Sequence, residues 1–206
     1  MRVAHRVEIF LSVGLIVSFF LPGAVLPAAA QRGALVLQQN LVQLVDEAAT
    51  IIRGHVVSAR VEPHPDFRNI STVVVILRVQ ETLKGEAGSV FRFRQYIWDI
   101  RDRTDSAGYR KGQHVLLLLT KPSRYGLSSP VGLEQGRFRI VRDRSRVEHA
   151  VNGHANAGLF RNLMPELQER SATLAAGQVK LIEAHRRGAV SLEGLQALIR
   201  QIAARK

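Results

Sequence analysis

The stretch "FRFRQYIW" places Arg92, Arg94, Tyr96 and Trp98 at every second position. In a β-strand that period puts all four side chains on one face. A second stretch, "GRFRIVR", sets Arg137 and Arg139 against Phe138 and Ile140 in the same way. Guanidinium groups grip phosphate or carboxylate through a planar fork of donors, and aromatic rings stack on bases or sugars. If the two stretches are strands of one barrel, the six residues form a basic patch flanked by rings. Such a patch suits an anionic polysaccharide, a lipid headgroup or a protein partner. The competing reading is a solvated outer face, where alternating arginine keeps exposed strands from pairing with other chains.

Other chemistry finds little support. The seven histidines form no H-E-x-x-H, and His149 and His154, five apart in an expected loop, have only Glu148 nearby as a further metal ligand. His64 and Asp66 in "EPHPDF" lack a G-x-S-x-G serine or any cysteine to activate. Glu81 and Glu134 could be paired carboxylates for glycoside hydrolysis, but nothing in the sequence sets their separation, and solvated strand ends explain them as well. Lys84-Gly85, after the strand "TVVVILRVQET", is no P-loop: no glycine precedes the lysine and a strand follows at Val90. Gly85 and Gly88 mark a turn, with Lys84 expected in solvent. No catalytic residue, metal ligand or cofactor site is assigned, and no motif specific for nucleic acid occurs.

The elements that would carry the patch follow from periodicity. Leu37, Leu41, Leu44 and Val45 recur at helical spacing, predicting a helix through about Asp46. "ATIIRGHVVSARVEPHP" is β-branched and ends at prolines, with a bulge or bend at Gly54. Val73, Val75, Leu77 and Val79 alternate with a face that ends in Arg78, Gln80 and Thr82. "HVLLLLT" is continuously apolar and reads as a strand buried on both sides. Between them "DIRDRTDSAGYRKGQ" is a polar loop, and its 99–112 segment is a second candidate for holding a ligand. After "NGHANAG" the period turns helical, with Pro165 at a helix start, a second amphipathic stretch at "QVKLIEAHRRG", and Ser191 capping a last helix.

Composition bounds the class. The chain has 206 residues and no cysteine, so neither a disulfide framework nor a cysteine-ligated metal is available. Its first thirty residues carry Arg2 and Arg6, an apolar core from Ile9 to Leu21, a Pro22-Gly23 break and an Ala28-x-Ala30 site. That is the order of a secretory signal cleaved after Ala30. The alternative is an uncleaved anchor, since Ile9–Ala30 is an uncharged run of 22 residues. Without Arg2, Arg6 and Glu8 the balance is 27 basic against 16 acidic residues, about +11. An excess of this size favours encounter with anionic partners.

The segments "LVDEAATIIRGHVVSARVEP", "STVVVILRVQETLKGEAGSVFRF", "KGQHVLLLLT" and "VGLEQGRFRIV" occur in this order over residues 41–142. In order and spacing they resemble a family of secreted bacterial proteins of unknown function. Members of that family carry an "aD.IV.G.V" opening, a "T...V.V...LKG" strand, a "G..vLLFL" strand and a "G..qGkf.v" close. "LEGLQALIRQI" resembles the helix that often ends such chains. The family is similar to the five-stranded OB-type barrel of tissue inhibitors of metalloproteinases. Two departures are plain: "YIWDIRDRTDSAGYRKG" replaces the family's glycine-rich "pG.p.f..G" segment, and Gln31 would stand where the inhibitors have a zinc-chelating cysteine.

The expectation is therefore an α+β, mainly β protein: a signal peptide over 1–30, an N-terminal helix over 31–49, a small OB-like antiparallel barrel over 50–150 and a C-terminal helical segment over 151–206. OB-type barrels bind oligonucleotides and oligosaccharides on one strand face and its adjoining loops. The expected function is an exported, non-catalytic binding module of the bacterial envelope, periplasmic or secreted. The alternatives are a protease-inhibitor-like module and an envelope enzyme without a linear motif.

Overall fold

A computed structural model describes residues 36–204; the expected signal segment lies outside them. Among the described residues no helix is long and apolar enough to cross a membrane. The chain order is α1 (Leu41–Glu47), β1 (Thr50–Pro63), β2 (Ser71–Lys84), β3 (Val90–Tyr96), β4 (His114–Leu119), β5 (Arg137–Arg142), β6 (Glu148–Asn152), α2 (Leu163–Glu169), α3 (Ala176–Ala184), β7 (Val190–Ser191) and α4 (Leu192–Ala203). The seven strands form one antiparallel sheet in the order β3-β2-β1-β4-β5-β6-β7. The protein is thus α+β and mainly β, with four α-helices among the described residues, and the sheet is not closed. Its β3 edge meets the chain after β4 at a single parallel bridge, Arg94 to Leu127, where Ser128 N–H donates to the Arg94 carbonyl at 2.8 Å.

Both faces of the sheet are covered near its centre, and β4 shows why its sequence is apolar throughout. Leu116 and Leu118 enter a core roofed by α1, α2, α3 and α4, together with Ile51, Phe138 and Ala150. Val115, Leu117 and Leu119 enter a second core with Ile52, Val75, Leu77 and Phe93. Residues Ala107 and Tyr109 cover this second core, so the polar loop after β3 is a plug as well as a connection. Its two 3₁₀ turns, Ile100–Arg103 and Ser106–Gly108, are fixed by Asp99 accepting from Arg101 N–H and Asp105 accepting from Gly108 N–H. The two sides are called below the helix side and the loop side.

Local chemistry sets the ends of the elements. Asn40 and Gln43 form a reciprocal capping box at the start of α1. Lys84, expected in solvent, instead donates to the Val45 and Asp46 carbonyls at 2.5 and 3.4 Å, at the C-terminal end of α1 where the helix dipole is negative. Gly85 makes the turn with φ +73, and a Cβ there would stand 2.5 Å from the Ala49 carbonyl oxygen. Ser191 caps α4 by accepting from Gly194 N–H. Pro165 is the third residue of α2, not the first, and α2 ends at Glu169. Strand β6 replaces the loop expected around His149, and the two-residue β7 at Val190–Ser191 was not expected.

Gly54 lies where β1 and β2 slip register, between the pairs Arg53–Glu81 and Gly54–Val79. A Cβ at Gly54 would meet the Arg78 carbonyl oxygen at 2.3 Å. Gly54→Ala should therefore destabilise the fold by about 1–3 kcal/mol, the usual cost of forced overpacking. Urea unfolding checks this; an unchanged midpoint would contradict the close approach.

Candidate functional site: the arginine face and the β3 cleft

Paired residues in neighbouring strands share a face, so register sorts the six expected site residues. Arg92 pairs with Ile76, Arg94 with Val74 and Tyr96 with Thr72. Arg78, two residues beyond Ile76, pairs with His55, which pairs in turn with His114 beside the helix-side Leu116. Arg92, Arg94 and Tyr96 therefore lie on the helix side, where the helices do not reach. Arg137 pairs with Leu117 and Arg139 with Val115, both on the loop side. Three strands, β2, β1 and β4, also stand between β3 and β5. The single six-residue patch is not formed: its two arginine pairs lie on opposite faces.

Each arginine has its own role. Arg137 is a clamp: it bonds the Ala107 carbonyl and both Glu134 carboxylate oxygens, and its guanidinium lies 4.7 Å from the centre of the Tyr109 ring. It ties the plug to the sheet. Tyr109 is buried and donates to Gln95 Oε1 at 3.0 Å. Burial pushes its hydroxyl up to about 12. Arg94 is a pin across the β1–β2 hairpin, bonding the Pro63 carbonyl, Thr72 Oγ1 and Glu62. Arg139 is exposed on the loop side. Tyr96 and Trp98 meet edge to face at 4.8 Å, with Trp98 58% exposed.

Arg92 is different. It is exposed and has no hydrogen-bond or ion-pair partner among the described residues. Arg60, which pairs with Val74, and Arg78 share its face and are also exposed without such partners. Row by row the face reads Glu62–Thr72–Tyr96, Arg60–Val74–Arg94, Ser58–Ile76–Arg92 and His55–Arg78–Val90. Val74 is 4% exposed between two arginine neighbours, whose apolar stems can cover it while the charges stay in water. Arg60 and Arg78 were missed because hairpin register, not period two within one strand, brings them to Arg92. Next to this face a cleft of about 330 Å³ separates β3 from the chain after β4; Phe91, Arg92, Phe93, Thr120 and Gly126 are among its lining residues.

The chain matches no family model, no curated protein and no solved structure.

Other sequence candidates are held in structural roles. His64 accepts from Asp66 N–H through Nδ1, which leaves Nε2–H to donate to the Tyr125 carbonyl at 2.9 Å. It is 2% exposed and clamps two loops together. Glu81 is bound by Arg53, Gln196 and Arg200, and Glu134 by Arg137, so each carboxylate is neutralised by its own partners. His149 pairs with Asp143 at 3.0 Å. Among the described residues no group of three or more His, Cys, Asp or Glu is placed to hold a metal.

His55 and His114 stack at 4.3 Å and 11° at the junction of the arginine face and the helix-covered region. His114 Nε2 is buried with no hydrogen-bond partner among the described residues, and Nδ1 lies 3.6 Å from Glu148. Burial first, then the neighbouring His55, lowers the His114 pKa to about 4. A free histidine titrates near 6.5. The fold disfavours the proton, so the stabilisation is complete above about pH 6.5 and is lost as pH falls towards 4. The urea midpoint should fall over that window, and His114→Asn should reduce the fall; identical profiles would refute the assignment. Arg137→Met should lower the midpoint at every pH, by loosening the plug.

Proposed function

We propose that this chain is an exported, non-catalytic interaction module of the bacterial envelope that holds an anionic polymer on the β1–β2–β3 face. The observation that carries this reading is the trio Arg60, Arg78 and Arg92, exposed on one face beside a cleft and without partners among the described residues. Three guanidinium groups in a shallow array match repeated phosphate, sulfate or carboxylate groups, and the Tyr96–Trp98 pair offers rings to sugars at its upper end. The charge balance and the secretory-type leader support an extracytoplasmic location and anionic company.

An OB-like barrel fits the same reading. The β3-β2-β1-β4 order and the isolated Arg94–Leu127 and Leu119–Pro130 bridges support this reading of an otherwise open sheet. The cleft would then be the part of the seam that does not zip. The resemblance to secreted bacterial proteins over residues 41–142 belongs to this proposal, as does the likeness of that family to the inhibitor barrel.

The test is a titration of the protein with heparin, lipopolysaccharide and single-stranded DNA at several salt concentrations. Binding should weaken log-linearly with salt. An Arg60→Ser/Arg78→Ser/Arg92→Ser variant should lose at least tenfold in affinity and lower the salt slope by about 2, at roughly 0.7 per charge removed. A variant that binds like the parent would make the trio a solvated face and refute the reading.

A further inference from the structure

The outer edge of β3 faces the cleft; Arg94 is bridged there to the chain after β4, and the stretch before it is not paired by any other described strand. β3 ends the sheet, so one of its edges carries no ladder. The Arg94 carbonyl points out of that edge, since it accepts from Ser128 N–H. Outward main-chain groups recur at every second residue of a strand. The N–H and C=O of Arg92 thus point the same way, and no described backbone group bonds them. Opposite them, Leu119, Thr120, Pro122 and Gly126 form the other wall, and Phe91 and Phe93 line the gap on the β3 side.

We propose that this gap takes an extended, acidic segment of a partner protein, added to β3 as a further strand. The proposal rests on reading the arginine face as the partner-binding surface, and it names the partner's chemistry. Strand addition draws its affinity from main-chain bonds and its specificity from alternate side chains. Here the edge supplies the main-chain pair of Arg92, and the Arg92 guanidinium, without a partner among the described residues and one strand spacing away, selects carboxylates; Arg60 and Arg78, further in on the same face, add only long-range positive charge. Lys121 and Arg124, exposed on the opposite wall's hairpin, add charge of the same sign. Glu62, the carboxylate on this face, is already taken by Arg94. The free run Val90–Phe93 spans about 13 Å, room for a strand of about four residues.

The probe is a capped heptapeptide alternating glutamate with threonine and valine, titrated into the full chain while amide exchange at Arg92 is followed by NMR. Binding should slow exchange of the Arg92 amide at least tenfold. The same peptide N-methylated at alternate residues, which cannot pair along one edge, should bind at least tenfold more weakly. Arg92→Thr keeps the edge N–H and loses the charge, so it should lose affinity and salt dependence but keep the preference for the unmethylated peptide. Arg92→Pro, which removes the N–H at an edge position where proline is tolerated, should abolish that preference. Equal binding of the two peptides to the unmodified protein, or an Arg92 amide that exchanges unchanged when peptide is bound, overturns strand addition. Heparin titrated in parallel separates the two readings. Heparin binding with a silent peptide overturns strand addition alone, and loss of both overturns the arginine-face reading beneath it.

Discussion

Alternation along β4 sends Leu116 and Leu118 into the helix-side core and Val115, Leu117 and Leu119 into the loop-side core, and every other strand takes its face from that split. Five consecutive apolar residues, Val115 to Leu119, divide between two cores that lie back to back across one sheet. Full burial of each side chain contributes about 1.5–3 kcal/mol, so this strand alone anchors a large share of both cores. A slip of one residue would exchange the sets between faces. With β4 fixed, β1 follows in register, β2 follows β1, and the face of every arginine on the outer strands is decided.

That inheritance explains why arginines of similar sequence context do different work. On β5, parity matched to Leu117 sends Arg137 to the loop side, where it meets Glu134, Tyr109 and the Ala107 carbonyl. There it holds the plug over the second core. On β3, parity matched to Ile76 and Val74 sends Arg92 and Arg94 to the opposite face. Arg94 is consumed by the hairpin end; Arg92 is left facing water beside a cleft. The helices cover the same side of the sheet further along, so the arginine trio occupies the portion they leave bare.

Features carried by neighbouring residues were legible in the sequence. The end of the first helix near Asp46, the Lys84-Gly85 turn, the doubly buried "HVLLLLT" and the Ser191 cap each depend on a local period or a single cap; the helix start was not legible, since α1 begins at Leu41 behind the Asn40 cap and Leu37, counted in its stripe, is non-helical and 89% exposed. Features set by distant pairing were not. The patch of Arg92, Arg94, Arg137 and Arg139 assumed that β3 and β5 share a face, whereas the strand order places three strands between them. The role of Lys84 needed the end of α1, 38 residues away, and the burial of Tyr109 needed the loop to fold back over the sheet. Strands β6 and β7 are five and two residues long, and they exist through pairing with β5 and with each other.

The arginines fall into two populations, one holding the fold and one proposed to face a partner. Side-chain NMR of the arginine Nε–H groups, recorded with and without heparin, tests it most directly. The resonances of Arg60, Arg78 and Arg92 should move on addition of heparin, while Arg137, locked against Glu134 and Tyr109, stays in place and exchanges slowly. Movement of Arg137 and Arg139 with a silent Arg92 would contradict it.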